Sequence, residues 1–143
     1  MYGLLDISTS GMVAQRVRLE AITANIVNAG TLRDAQGNLN PYRRRVVQFA
    51  PGDPTSSSPF ARQLGVHVRA IELDPTPAQP REYDPDHPDA YQDGPFKGYV
   101  ASTNVNTTIE QINALEATRA YEANATVAEA SKQMINQALR LLA

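Results

Sequence analysis

The sequence predicts a mainly α-helical protein. A long helix at each end packs with the other as a coiled-coil-like pair, and a short proline-rich middle of extended chain with one β-hairpin joins them. Three observations lead there. All ten prolines fall between Pro41 and Pro95, and proline removes a backbone donor and clashes with the preceding helical turn. From Tyr99 to Ala143 there is neither proline nor glycine. Apolar residues recur at helical spacing in both end segments, whereas part of the middle alternates with the period of a strand. The expected divisions are 1–30 (N-terminal helical segment), 31–103 (extended middle) and 104–143 (C-terminal long helix).

In the first segment, Leu4, Leu5, Met12, Leu19, Ile22 and Ile26 line one face of a helix. A second stripe, Ile7, Ala14, Val17, Ala21 and Ala24, lies roughly opposite at about 100° per residue. A helix that is apolar on two sides belongs between neighbours. The pattern stops at Asn28-Ala29-Gly30, where glycine suits the left-handed position after a helix.

The middle reads as extended chain. "GVHVRAIEL" alternates from Leu64 through Val66 and Val68 to Ala70, as a half-buried strand does, and "RRRVVQF" is its expected partner. "PGDPTSSSP" between them is a polar loop or a disordered excursion. Beyond Leu73 the chain holds too many prolines for a regular element.

The last segment carries the strongest signal. Ile109, Ile112, Ala120, Ala123, Val127, Ala130, Met134, Ala138 and Leu141 form one stripe, interrupted by Glu116, with Arg119, Glu122, Glu129, Lys132 and Arg140 on the opposite face. Thr107 and Thr108 are candidate N-caps, with Glu110 at the spacing of a capping box. A helix over 107–142 would be about 50 Å long, whereas a compact domain of this chain length has a radius of gyration of about 14–15 Å. Such a helix needs a partner: the N-terminal helix, other copies, or both. Within 116–130 six of fifteen residues are alanine, which suits close approach of helix axes more than bulk burial. Ala120, Ala123 and Ala130 then act as spacers, with Val127 as the larger knob among them.

Composition excludes several functions. Net charge is −2 and cysteine is absent, so no long-range field favours nucleic acid, and neither disulfides nor thiolate metal sites are available. Arg43 to Arg45 stand in a segment, 41–101, whose seven Lys/Arg are balanced by eight Asp/Glu; these arginines are expected to pair with carboxylates of the same chain or a neighbour. "DPDHPDA" places Asp84, Asp86, His87 and Asp89 close together and raises a metal-binding alternative, but its spacing matches neither a calcium loop nor a zinc signature. Local backbone hydrogen bonds are the expected use of these aspartates. No phosphate-cradling loop, nucleophile elbow or HExxH motif occurs, so neither catalysis nor a cofactor is expected. The N-terminus lacks the charged and apolar regions of a secretory signal, and no apolar run is long enough to span a bilayer.

Three stretches carry a family resemblance. "AITANIVNAGT" (21–31) resembles the "SNNIANANT"-type motif of bacterial flagellar rod and hook proteins. "NVNTTIEQINALEATRAYEANATVAEASKQMINQAL" (104–139) resembles their C-terminal signature with its "RAYEAN" core. "ELDPTPAQPREYDPDHPDAYQDGPFKGYVASTNVN", together with "DAQGNLNPYRRRVVQF", resembles the middle of the proximal rod members. The chain is thus identified as similar to the flagellar basal-body rod protein family over nearly its whole length. Distal rod or hook-type proteins are the alternative, and this short middle counts against them.

The resemblance implies a structural subunit exported by the flagellar type III apparatus without a cleavable signal. It would polymerise with itself and with other rod proteins into a hollow drive shaft, in contact with the basal-body rings as the rod crosses the periplasm. It adds Asn25, Asn28, Tyr121 and Asn124, which lie in the two helical motifs, to the stripe residues as assembly-interface candidates. Thr103 stands where the family usually carries proline, from which a looser approach to the long helix is expected.

Overall fold

A computed structural model describes residues 2–142, with the side chains of Tyr2, Leu4 and Leu142 outside the described set. In chain order the elements are α1 (Tyr2–Val27), β1 (Arg45–Pro51), α2 (Pro59–Leu64), β2 (Val66–Leu73) and α3 (Thr107–Leu142). Two long helices lie side by side, with a two-stranded antiparallel hairpin between them in sequence. The expected fold class is the one observed.

α1 runs 26 residues without proline, and its hydroxyls fold back on the helix. Thr9 and Thr23 donate to the carbonyls of Leu5 and Leu19, each at 2.8 Å. The helix stops at Val27, where the Asn28 side chain donates to the Ala24 carbonyl at 2.9 Å. The expected left-handed Gly30 is not found: positive φ occurs at Gly37, Gly52, Gly94 and Gly98 instead. The Ala24 carbonyl thus accepts twice at the helix end, from the Asn28 N–H at 3.1 Å as well as from its side chain.

β1 and β2 pair from Arg45↔Leu73 to Pro51↔Val66, with a bulge between Gln48 and Phe49. The link between the strands contains α2, so Leu64 ends a short helix rather than beginning a strand, and it is exposed. Pro59 explains the difference, since proline at the first helical position is pre-organised for the turn that follows. The hairpin is fastened to α1 at Ser10, whose hydroxyl donates to the Ile7 carbonyl and accepts from the Val66 N–H at 3.1 Å. A side chain at Gly65 would meet the Ala61 carbonyl and this same hydroxyl, so glycine is required there by close approach. After β2 the chain is irregular, with single bridges at Tyr83↔Tyr99 and Ala90↔Val100.

α3 is 36 residues long, about 54 Å at 1.5 Å per residue. Its cap is Asn106, whose side-chain oxygen accepts from the N–H groups of Thr108 and Ile109 at 3.0 and 3.2 Å. Neither threonine is the cap, and Glu110 makes no capping box: it is 1% exposed and turned inward. The approach to α3 is held rather than loosened, because the Thr103 hydroxyl donates to the Ala29 carbonyl at 2.6 Å.

The two long helices run antiparallel. Asn25 meets Glu110, Arg18 reaches Glu116 at 3.3 Å, and Gly11 lies against the Asn124 side chain. Continued along the helices, that register carries α3 past the N-terminus of α1 from about Met134 onward. The buried residues of the two helices are mostly small or polar, among them Ala14, Ala21, Asn25, Glu110, Ala117 and Ser131, with Ile22 a large apolar exception. α1 therefore supplies much of the partner that α3 requires, and it does so along a narrow strip.

Candidate assembly interface

The consequence of this strip is that α3 turns its large apolar side chains outward. Ile109, Ile112, Tyr121, Val127, Met134 and Leu141 are all exposed, Leu141 to 88%. Ala123 and Ala130 are exposed with them, whereas Ala120, Asn124 and Ala138 are half-buried. Two leucines missing from the sequence-derived stripe, Leu115 and Leu139, are also exposed. At ideal spacing both fall well outside the stripe, Leu139 far round the helix from it, which is why periodicity passed over them. A helix whose inward face is alanine, asparagine and serine while its outward face is isoleucine, leucine and methionine inverts the usual burial preference.

On α1 the predicted residues are drawn inward. Ala14, Ala21, Ile22 and Asn25 are buried, and Ile7, Met12, Val17, Leu19, Ala24 and Asn28 are half-buried. The Leu4 side chain lies outside the described residues. α1 packs against α3, the hairpin and α2 of the same chain, while Thr9, Val13, Arg16, Glu20, Thr23 and Val27 on its remaining face stay exposed.

Behind the apolar face lies a polar cluster that the sequence reading did not assemble. Asn25 is 0% exposed and uses its whole hydrogen-bonding capacity. Its Nδ2 donates to the Arg45 carbonyl and to Glu110 Oε2, both at 2.9 Å. Its Oδ1 accepts from the Arg45 N–H at 2.8 Å and the Tyr42 hydroxyl at 3.1 Å. Glu110 Oε1 accepts from Arg44 Nε at 2.8 Å and Asn113 Nδ2 at 3.2 Å. Arg44 continues to Asp74 Oδ2 at 3.1 Å. Asn104 joins the Arg44 N–H to the Thr76 carbonyl. The arginine run thus pairs with carboxylates of the same chain through Arg44, while Arg45 lies over the Tyr42 ring and Arg43 donates to the Asp74 carbonyl. Glu110 was legible only as a capping candidate, because its partners are distant in sequence.

Electrostatics follow from these contacts. Burial works against the Arg44 charge, but its bonds to Glu110 and Asp74 outweigh that and hold its pKa above the ordinary arginine value. Asp74 is held down to about 2, first by the hydroxyl and N–H of Thr76 and then by Arg44. A carboxylate with a depressed folded pKa stabilises the fold above its ordinary pKa, and that contribution is lost as pH falls towards the folded value. Urea midpoints are therefore expected to fall as pH drops from about 4 towards 2, and Asp74→Asn should flatten part of that slope while lowering stability at neutral pH.

The residues of the metal-binding alternative are engaged locally. Asp84 Oδ1 accepts from the Asp86 N–H at 3.2 Å, and His87 Nδ1 accepts from the Asp89 N–H at 3.0 Å. Asp89 pairs with Arg33 at 2.7 Å. These contacts tie a proline-rich turn to the segment after α1.

Comparison with known proteins agrees with the motifs. Residues 97–141 match the family model described as flagellar basal body rod FlgEFG protein C-terminal, which spans α3 and its approach. Over the full chain, similarity is to flagellar basal-body rod protein FlgC of several bacteria. That of Borreliella burgdorferi is 39% identical, covering 99% of this chain and 97% of the relative. That of Bacillus subtilis is 35% identical over 96% and 95%, and that of Escherichia coli O157:H7 is 31% identical over 99% and 97%. Because α1, the hairpin and the irregular middle are matched along with α3, the chain belongs to the FlgC family of flagellar basal-body rod proteins, which are structural proteins rather than enzymes.

Proposed function

We propose that the chain is a building block of the proximal rod, joining copies of itself and other rod proteins into a hollow shaft that transmits torque and encloses the export channel. The observation that carries this reading is the outward apolar face of α3, from Ile109 to Leu141, in a subunit whose internal helix contact uses a separate, small-residue strip. Such a face is costly in an isolated protein and is covered by neighbours in a polymer. A contact between two different surfaces that does not close into a ring generates a helical assembly. Where the rod crosses the periplasm, the middle segment meets adjacent subunits and the basal-body rings. The route out is the flagellar type III export apparatus.

The test separates folding from assembly. Ala123 and Ala130 are both exposed on α3, so Ala123→Asp and Ala130→Asp should each lower the thermal unfolding of the purified subunit by only a few degrees (a helix-propensity cost of about 0.7 kcal/mol). In cells lacking the native subunit, the same variants should fail to restore swimming, because a carboxylate buried against each neighbour recurs at every position. Motility at the unsubstituted level would overturn the reading.

A further inference from the structure

The geometry points to Glu110 and Arg44 as a latch through which the docked middle segment holds the helix pair closed. Glu110 is the charged side chain buried at the contact between α1 and α3, at 1% exposure. Every group bonded to its oxygens is a donor: Asn25 Nδ2 from α1, Arg44 Nε from the link into β1, and Asn113 Nδ2 from α3 itself. An acceptor-only carboxylate fits that arrangement, whereas an amide would set an N–H against a donor. Its charge is balanced by Arg44, and Arg44 reaches it only while the start of β1 is docked. That docking is itself held by the bond from Asn104 to the Arg44 N–H and by Asp74 at the end of β2. A buried carboxylate without its cation is strongly unfavourable. Closing α1 on α3 therefore requires the hairpin to be seated, although the hairpin contributes little to the helix–helix contact itself.

The two partners are not equivalent. Arg44 keeps Asp74 if Glu110 is removed, and its side chain is 27% exposed. Glu110 has no second cation among the described ion pairs and is far less accessible. Removing the arginine should thus open the pair, and removing the glutamate should not.

The absence of cysteine allows nitroxide labels at Thr23→Cys on α1 and Gln111→Cys on α3, both exposed in the full chain, with the distance between them read by pulsed electron paramagnetic resonance. The parent and the Glu110→Leu variant should each give one narrow distance. Arg44→Met should lose that narrow component or fail to fold, and the Arg44→Met, Glu110→Leu double variant should regain it. Either of two results would overturn the latch: a narrow distance in Arg44→Met alone, or a double variant as broad as Arg44→Met. Equal opening by Glu110→Leu and Arg44→Met would overturn it too, since that is the behaviour of two ordinary packing residues.

Discussion

Replacing Asn25 by leucine is expected to destabilise the subunit by about 3–5 kcal/mol. The side chain is fully buried and makes four hydrogen bonds to four different groups. Leucine fills a similar volume, so the loss does not come from a cavity. It comes from the groups left behind: the N–H and carbonyl of Arg45, the Tyr42 hydroxyl and one oxygen of Glu110. A buried polar group without a partner costs about 1–3 kcal/mol, and more if it is charged. Some of this is recovered by water entering at the half-buried Tyr42, which is why the total falls below the sum. Urea unfolding of the purified chain measures the effect, and a loss under about 1 kcal/mol would show that the cluster is solvated rather than sealed. The asparagine lies inside the "AITANIVNAGT" motif, so that motif marks the joint where α1, β1 and α3 meet.

Ala117→Leu is expected to cost about 1–3 kcal/mol by a different mechanism. Ala117 is 0% exposed on α3, and the register places it level with the stretch of α1 between Ala14 and Ala21, which are also buried. With Ala117 fully buried, three added carbons must displace the side chains packed against it. The helices must separate, which loosens Asn25–Glu110 on one side and Gly11–Asn124 on the other. A rise in helix-pair flexibility, read as faster amide exchange along the inner face of α3, should accompany the lower urea midpoint. Ala128→Leu, at a half-buried alanine farther along α3, should be milder. Equal effects at 117 and 128 would show that axis spacing is not what the central alanine controls.

The sequence displayed most of the architecture. The confinement of proline to 41–95 and the helical periodicity on either side were enough to place two long helices, because both features act through the backbone within one or two turns. Alternation in "GVHVRAIEL" located β2 for the same local reason, and missed α2 only where Pro59 restarted a helix inside the link. The stripe from Ile109 to Leu141 was equally legible, as was its interruption at Glu116. Its direction was not. Periodicity reports which residues share a face of a helix, but it carries no information about which face meets the rest of the chain. Hydrophobicity left open whether the stripe met α1, other copies or both, and α1 lies along the strip of Ala117, Asn124 and Ser131 instead.

That choice, and the role of Glu110, belong to the tertiary structure. Arg44, Asn25 and Glu110 are separated by up to 85 positions, so nothing in the local pattern distinguishes a glutamate that caps a helix from one that accepts bonds from two other segments. Short-range propensity and spacing made the elements readable one at a time. The three-dimensional arrangement decided which small-residue strip closes inside the chain, where the one buried carboxylate of that contact finds its cation, and which apolar face is left on the outside.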